Sequence, residues 1–437
     1  MKHYIYPKGV TGQQLGWLME YCGEVGGGVE YIDDSIPEIS FEAMKEKLKK
    51  EDCVVHVALS KISPHYEKSL ENISKKLEIN GISFLTNSVE EYWRKSANLV
   101  KKDLYDGCNK IVCLVLEGYG DSKNAGFLEQ ELRKKNISLL CVYTDLNLYQ
   151  KALVEMDRNL LYFSYEYLYL LDWVDMFCLL GGYEGIPSKS KYIMVGHSLA
   201  HYNTRTAETL LQYGVDEVCI AGPRFLPNKD FLKSIDIIKC GYLGFDPIFK
   251  KLNEIKSQKK FIKDSVFIAP YNMEEVKILS QYIKMILSKY RVIFRYREEF
   301  QNAHLPYINE FLKNENFYID DASGIAPESY LQSFCGIFRI TSSKNTFPLL
   351  SLSPSIVLPH DCATLGLAVD TRIGINFHRD PTPQELLETI DDIYNNQEKW
   401  KENILDYREK EIYNFGHASE YLADYLVKKY NLVAKNL

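Results

Sequence analysis

Two segments of the chain place reactive side chains directly after a predicted buried strand. In the first, Gly196 ends the apolar strand predicted at 191–196, and His197, Ser198 and His201 follow it. In open α/β sheets, ligands bind at the carboxyl ends of strands, where a histidine can act as a general base near neutral pH. The glycine permits a turn that directs His197 toward such a cleft. The alternative is a histidine that only hydrogen-bonds the turn.

The second segment is a run of three hydroxyl side chains, Thr341, Ser342 and Ser343, between a strand predicted at 336–341 and a helix. Backbone N–H groups that are free at a helix start, with hydroxyl donors beside them, form an anion site that suits a diphosphate. The alternative is ordinary capping of the helix by serine or threonine.

Other predicted strands in the C-terminal half also end in polar residues. Arg295 and Arg297 follow one strand, and the fork of donors in arginine suits phosphate. The alternative for this pair is a solvated cluster with the glutamates that come next. His360 and Asp361 follow a later strand, where they reach a nucleotide or an acceptor, or merely cap the loop.

Composition excludes several classes of function. The 437 residues carry a formal charge of −7 without long blocks of one sign, so the chain has no electrostatic footprint for nucleic acid. Ten cysteines form no CxxC pair and no Cys/His cluster with zinc spacing, which predicts buried thiols in a reducing compartment. No Walker loop, G-x-G-x-x-G or DxD signature occurs, so we expect neither a cofactor nor a metal.

The N-terminus lacks the apolar core of a signal peptide, and no stretch of about 18 apolar residues appears, so we expect a cytoplasmic protein. Short β-branched and aromatic runs alternate with amphipathic stretches, which predicts parallel sheets covered by helices. Strands are predicted at 3–6, 29–33, 53–58, 82–85, 111–116, 138–143, 160–163, 174–180, 191–196, 216–220, 236–240, 265–269, 291–295, 316–319, 336–341, 354–358 and 372–377. Helices are predicted at 39–50, 66–78, 88–105, 124–135, 203–213, 246–258, 273–289, 301–314, 383–394, 396–408 and 417–430.

The segment from Gly241 to Pro247 contains two glycines and an Asp-Pro pair, which predicts a break between two lobes. A softer boundary falls near residue 106. We therefore predict three regions, 1–105, 106–245 and 246–437. The first is either a small α/β unit of its own or part of the first lobe.

Six short segments occur in an order that resembles the CDP-glycerol glycerophosphotransferase family, the teichoic-acid and capsule polymer transferases of GT-B fold. The resemblance covers roughly Lys189 to Val427. Its segments are Gly196-His197-Ser198, Gly241 to Ile248, Phe267 to Tyr271 with Pro270 inside, Ile340 to Ser343, Pro354 to Leu358 with Asp361 beyond it, and Asn414 to Glu420.

The resemblance implies an α/β GT-B fold, with two Rossmann-like lobes that have parallel sheets and a cleft between them. It implies a nucleotide-diphosphate donor, CDP-glycerol-like, held by the second lobe, and an acceptor on the side of the first lobe. The hydroxyl loop and Asp361 then contact the donor, Arg295 or Arg297 neutralises the leaving group, and His197 takes the proton from the acceptor hydroxyl. The implied acceptor is a cell-surface polysaccharide, capsule or teichoic-acid-like polymer, polysaccharide- or lipid-linked.

One departure from the family leaves alternatives open. The family has a second histidine where this chain reads Arg295-Tyr296-Arg297. The donor is therefore either a CDP-alcohol or a nucleotide sugar, and a third hypothesis is a non-catalytic binding protein that retains the fold. Peripheral association with the inner face of the membrane, the acceptor and the oligomeric state remain open.

Overall fold

The computed structural model describes residues 1–25, 28–104, 110–116, 124–155, 160–181, 185–196, 198–199, 207–225, 235–296, 306–320, 327–341, 343–360 and 368–432. Within these ranges the chain forms three β-sheets, and every strand pair in them is parallel. Parallel neighbours need crossover connections, and α-helices form many of these in the described ranges.

The first sheet has four short strands in the order β2-β1-β3-β4. They are β1 (Lys2–Tyr6), β2 (Glu30–Tyr31), β3 (Cys53–Val57) and β4 (Phe84–Leu85). The accompanying helices are α1 (Val10–Tyr21), α2 (Phe41–Lys50), α3 (Tyr66–Ile79) and α4 (Ser88–Leu104). Helices α1 and α4 contribute Leu15, Trp93 and Val100 to the same hydrophobic core as the second sheet, so this region packs directly on the next one.

The second sheet has seven strands in the order β11-β10-β9-β8-β5-β6-β7. They are β5 (Ile111–Leu116), β6 (Ser138–Tyr143), β7 (Leu160–Tyr162), β8 (Met176–Leu179), β9 (Lys191–Met194), β10 (Glu217–Cys219) and β11 (Asp236–Ile238). Its helices are α5 (Leu128–Lys134), α6 (Leu146–Glu155) and α7 (Ala207–Gln212). Strands β5 and β6 are buried along their whole length, as parallel strands covered on both faces must be.

The third sheet has six strands in the order β14-β13-β12-β15-β16-β17. They are β12 (Ser265–Ile268), β13 (Arg291–Arg295), β14 (Phe317–Asp320), β15 (Ser333–Phe338), β16 (Ser355–Val357) and β17 (Gly374–Asn376). The remaining helices are α8 (Phe245–Gln258), α9 (Met273–Ile286), α10 (Pro327–Gln332), α11 (Ser343–Ser351), α12 (Pro383–Asn395), α13 (Gln397–Glu411) and α14 (Ala418–Tyr430). This is the doubly wound order, which reverses between β12 and β15.

The connection between the second and third sheets is held by a buried carboxylate. Asp246, 3% exposed, accepts hydrogen bonds from the backbone N–H groups of Ala418 at 3.2 Å and Ser419 at 2.7 Å, the first residues of α14. Gly241 adopts φ +96°, and a Cβ there would lie 2.2 Å from the carbonyl oxygen of Tyr413. The two segments at Gly241–Ile248 and Asn414–Glu420 are therefore one packed unit.

Helix α14 returns to the second sheet. Its residues Leu422 and Leu426 belong to the core of that sheet, and Tyr425, Lys429 and Tyr430 hydrogen-bond to the buried carboxylate of Glu217 on β10. The last helix thus ties the C-terminal end of the chain to the lobe that precedes the third sheet.

All predicted strands overlap strands of the structure, whereas the helical predictions need correction at several places. Helices α1, α6 and α10 were not predicted, because α1 contains two glycines, α6 carries no clear polar face, and α10 is only one and a half turns long before β15 begins at Ser333. Strand β15 ends at Phe338, three residues earlier than the predicted limit of 341. The helix predicted at 124–135 begins at Leu128, after a turn at 125–127.

Candidate functional site

The reversal of strand order in the third sheet brings two loops together. Ile268 at the end of β12 is paired with Ile337 near the end of β15, and the chain leaves both strands on the same edge. The loop after β12 contains Pro270 and Tyr271, and the loop after β15 leads to Thr341. A crevice at such a reversal is where doubly wound sheets bind ligands.

A single carboxylate joins these two loops. Glu275, in the first turn of α9, is 0% exposed, and its Oε2 accepts the N–H of Tyr271 at 2.6 Å. Its Oε1 accepts the N–H of Ile340 at 2.7 Å. Asn272 caps the same helix by accepting the N–H of Glu275 at 3.0 Å. The Asn-x-x-Glu pattern is that of a capping box, but here the carboxylate reaches beyond its own helix to the loop after β15.

Opposing effects act on the Glu275 carboxyl. Burial raises its pKa above the ordinary value, and this effect is the largest. The two backbone N–H groups and the positive charges of Arg339 and Lys344 act in the other direction. The charged form is thus maintained by groups from the loop after β15 and from the start of α11.

The hydroxyl run at the start of α11 is partly engaged in capping. Thr341 Oγ1 accepts the N–H of Ser343 at 3.3 Å and lies 3.2 Å from the Ser343 hydroxyl. Both side chains are half-buried, so they remain accessible from the crevice. The capping geometry also leaves the first turn of α11 directed at the reversal point, where an anion would be favoured.

Lys344 is the second residue of α11 and is 2% exposed. Burial lowers the pKa of its ammonium group, and the charge of Glu275 partly offsets that effect. Within the part of the chain that the structure describes, its Nζ has no hydrogen-bond acceptor. The side chain therefore brings a positive charge, largely shielded from solvent, to the first turn of α11, where it would attract an anionic ligand.

Arg295, the last residue of β13, faces its neighbour in the sheet. It is paired in register with Asp320 at the end of β14, and its Nη1 lies 3.6 Å from Asp320 Oδ2. The side chain of Arg295 is 18% exposed and that of Asp320 is 5% exposed. Arg295 thus takes part in a largely buried ion pair with Asp320, and the glutamates of the alternative interpretation lie outside the described residues.

The remaining predicted residues are distributed as follows. His360 lies after β16, next to Pro359, whose carbonyl oxygen accepts the Nε–H of Arg339 at 2.7 Å, so it borders the same crevice. In the other lobe, Gly196 after β9 adopts φ +83°, the turn that its residue type favours, and Ser198 is half-buried. The predicted residues outside the described ranges are His197, His201, Arg297, Ser342 and Asp361.

The sequence interpretation missed Glu275, Lys344 and Asp246. The signal for Glu275 was the Asn272-x-x-Glu275 pattern directly after a strand and Pro270, and the signal for Lys344 was its position beside the hydroxyl run.

In the described ranges, no group of three or more histidine, cysteine, aspartate or glutamate side chains is arranged to hold a metal ion. The eight cysteines in those ranges are free thiols. No helix there is long and apolar enough to cross a bilayer.

Comparison with solved structures places the fold. A histidine-to-alanine variant of the wall teichoic acid polymerase TagF matches with a TM-score of 0.50 at 14% identity, over 84% of this chain and 98% of that one. A histidine-to-asparagine variant of the same polymerase, soaked with CDPG, matches with a TM-score of 0.50 at 15% identity, over 85% of this chain and 99% of that one. UDP-GlcNAc 2-epimerase from Neisseria meningitidis, bound to UDP-GlcNAc, matches with a TM-score of 0.50 at 13% identity, over 73% of this chain and 100% of that one.

No protein-family model matches the chain, and no curated protein matches it by sequence. At identities near 14%, the structural matches concern the fold alone. Together with the parallel sheets and the reversal between β12 and β15, they confirm the fold prediction: the chain has an α/β GT-B fold.

Proposed function

We propose that this chain is a cytoplasmic transferase that uses a nucleotide-diphosphate donor and passes a glycosyl or polyol-phosphate group to a hydroxyl of a polysaccharide- or lipid-linked acceptor. The observation that carries the proposal is the buried Lys344 at the start of α11, whose positive charge interacts with the carboxylate of Glu275 that joins the two crevice loops. Two of the matched structures are described with a nucleotide-linked ligand, CDPG and UDP-GlcNAc, which supports a donor of the same chemistry.

In the proposed complex, the donor diphosphate lies against the first turn of α11. The Lys344 ammonium and the hydroxyls of Thr341, Ser342 and Ser343 donate hydrogen bonds to its oxygens, and the positive end of the helix adds to the attraction. Glu275 acts as a positioning residue, because it holds the loops on both sides of the crevice.

In the proposed reaction, His197 takes the proton of the acceptor hydroxyl, and the acceptor oxygen forms the new bond. With a nucleotide sugar the bond forms at the anomeric carbon, and the nucleoside diphosphate leaves with the electron pair. With a CDP-alcohol it forms at the phosphorus that bears the alcohol, and CMP leaves. The anion site at α11 stabilises the negative charge on the leaving group in either case.

Arg295 favours a nucleotide sugar as the second candidate donor. It stands where the resembling family has its second histidine, and in the structure its guanidinium pairs with Asp320. A thermal-shift panel of CDP-glycerol, CDP-ribitol and CMP-, UDP- and GDP-sugars distinguishes the donors. Stabilisation by CDP-alcohols alone would eliminate the glycosyltransferase alternative, and stabilisation by none of these compounds would refute the donor site.

Lys344→Met tests the donor site directly. The variant keeps the volume of the side chain but removes its charge, so donor affinity should fall about tenfold or more. The matched control is Lys284→Met, at an exposed lysine near the end of α9. A variant that loses stability and binds donor normally would assign Lys344 a structural role instead.

His197→Ala tests catalysis separately from binding. The variant should retain the donor-induced thermal shift and lose transfer by a factor of about 100 or more, the usual contribution of a general base. Full transfer activity in His197→Ala would exclude the general-base role. Donor binding without any transfer by the wild-type protein, across the acceptor classes named above, would favour the non-catalytic alternative.

A further inference from the structure

A second basic site lies at the opposite edge of the third sheet. There, a cavity of about 490 Å³ opens beneath the amino ends of β12, β15 and β16, between the end of α8 and the start of α13. Strand β12 is four residues long, so this edge is roughly 13 Å from the crevice at the carboxyl ends. Five lysines and one glutamate line this lysine cavity: Lys256, Lys259, Lys260, Lys263, Lys401 and Glu398.

The charges in the lysine cavity are poorly compensated. Glu398 lies 2.9 Å from Lys401 in a pair that is largely exposed, and such pairs contribute little. Lys256 is held near Arg408 and Lys401, and its pKa is lowered by desolvation first and by these two cations next. The cavity therefore concentrates positive charge that an anion would neutralise.

Lys263 is the innermost of these lysines. Its Nζ donates to the carbonyl oxygen of Ser351 at 2.6 Å and to Ser353 Oγ at 2.6 Å, which leaves one proton for a further acceptor. Burial, followed by the neighbouring charges of Lys256 and Lys401, lowers its pKa to about 7. The two hydrogen bonds therefore hold the Lys263 ammonium in a fixed position among the other lysines of the cavity.

Part of the remaining wall of the lysine cavity is apolar. Phe261, Phe334 and Leu352 contribute to that part, and Phe334 is almost fully buried behind it. A ligand that fits both surfaces has an anionic head for the lysines and a carbon skeleton for the aromatic wall. Inorganic ions satisfy the first requirement only, whereas an organic phosphate satisfies both.

We propose that the lysine cavity is a second ligand site, separate from the donor crevice, that binds an organic phosphate. Its phosphate group accepts hydrogen bonds from Lys263 and from the more exposed lysines at the mouth, Lys259 and Lys260. Its carbon skeleton packs on Phe261 and Leu352. The same chemistry is found in a free phosphate ester and in the headgroup of an anionic phospholipid.

The test is a calorimetric titration with glycerol 3-phosphate, using the Lys344→Met variant so that binding at the donor crevice is weakened. Adding Lys259→Glu and Lys260→Glu should weaken the remaining binding at least tenfold, since both lysines are exposed and their reversal leaves the core intact. The matched control adds Lys277→Glu and Lys284→Glu, two exposed positions on α9, and should bind within twofold of Lys344→Met. Equal binding by the two reversed variants would overturn the proposal.

Proton uptake on binding gives a second readout, because general attraction of an anion to a positive surface would not change the protonation of Lys263. An anion beside Lys263 raises the pKa of its ammonium from about 7, so binding at pH 7.5 should take up a fraction of a proton. The groups that face Lys263 are Lys256 from α8 and Lys401 and Glu398 from α13. Titrations in buffers of different ionisation enthalpy measure this uptake, and Lys263→Met should abolish it. Unchanged uptake in that variant would contradict the assignment.

Co-sedimentation of the protein with lipid vesicles shows whether the bound phosphate belongs to a lipid or to a soluble ester. Vesicles of phosphatidylcholine with phosphatidylglycerol carry the glycerophosphate headgroup in lipid form, and vesicles of phosphatidylcholine alone are the control. Binding to the mixed vesicles that is lost in Lys259→Glu/Lys260→Glu assigns the site to a membrane lipid. Binding of free glycerol 3-phosphate without vesicle binding assigns it to a soluble ester, and absence of both overturns the proposal.

Discussion

Glu275 is expected to control both the stability of the second lobe and the affinity for the donor. The change to test is Glu275→Gln, which keeps the shape of the side chain but replaces one acceptor oxygen by an NH₂ group. Because the carboxylate accepts the N–H of Tyr271 through one oxygen and that of Ile340 through the other, the amide can serve only one of them. The other buried backbone N–H then faces the NH₂ group of the glutamine and has no acceptor.

The expected magnitude follows from these two hydrogen bonds. A buried donor left without an acceptor costs about 1–3 kcal/mol, so Glu275→Gln should lose about that amount of unfolding free energy, and Glu275→Ala should lose roughly twice as much. Relief of the buried charge offsets part of the loss in both variants, because burial is the largest effect on the pKa of this carboxyl. The net change therefore falls in the lower half of the range for Glu275→Gln.

Urea denaturation at pH 7 measures the stability, and donor-induced thermal shift measures the affinity. If the loops on either side of the crevice lose their connection, donor affinity should fall by about tenfold, equivalent to roughly 1.4 kcal/mol. Glu274→Gln, at the exposed neighbouring position, is the control and should change neither quantity. A Glu275→Gln protein with wild-type stability and wild-type donor affinity would refute the reasoning.

Two further predictions concern carboxylates that accept more than one hydrogen bond. Asp246→Asn leaves one N–H of the α14 start, at Ala418 or Ser419, without an acceptor, so unfolding free energy should fall by about 1–3 kcal/mol, and limited proteolysis should release α14 sooner than in wild type. Asp370 hydrogen-bonds to Arg372, which lowers its pKa to about 2, so its contribution is present above the unfolded pKa near 3.8 and is lost as pH falls toward 2. Asp370→Asn should therefore lose roughly 2 kcal/mol at pH 7 and show a flatter decline in urea stability between pH 4 and pH 2. A parallel acid decline in the variant and wild type would contradict this.

The central strands of the second sheet could be predicted because they are buried on both faces. Segments such as Ile111–Leu116 and Ser138–Tyr143 are continuous apolar runs of strand length, and parallel sheets covered by helices require that composition. Helices were predicted less well where they are short or lack a polar face, as at Pro327–Gln332. The order of the strands was not available from these patterns, because pairing depends on contacts between distant segments.

Some features of the candidate site could likewise be predicted from the sequence, and others could not. The hydroxyl run at Thr341–Ser343 is visible in the sequence, because helix starts and anion sites use the same residue types. The burial of Lys344 is not visible, since a lysine in the first turn of a helix is ordinarily exposed. The role of Glu275 is hidden for a related reason, because a glutamate three residues after an asparagine reads as a local cap.

The amino-acid sequence by itself determined the alternation of strands and helices and the presence of polar residues directly after strands. These features depend on local composition and spacing, which a single segment carries. Only the tertiary structure decided that β12 and β15 are neighbours, that Glu275 bridges the loops that follow them, and that a lysine cluster collects at the other edge of the same sheet. Burial and charge compensation decide these features, and both arise only when residues far apart in the chain come into contact.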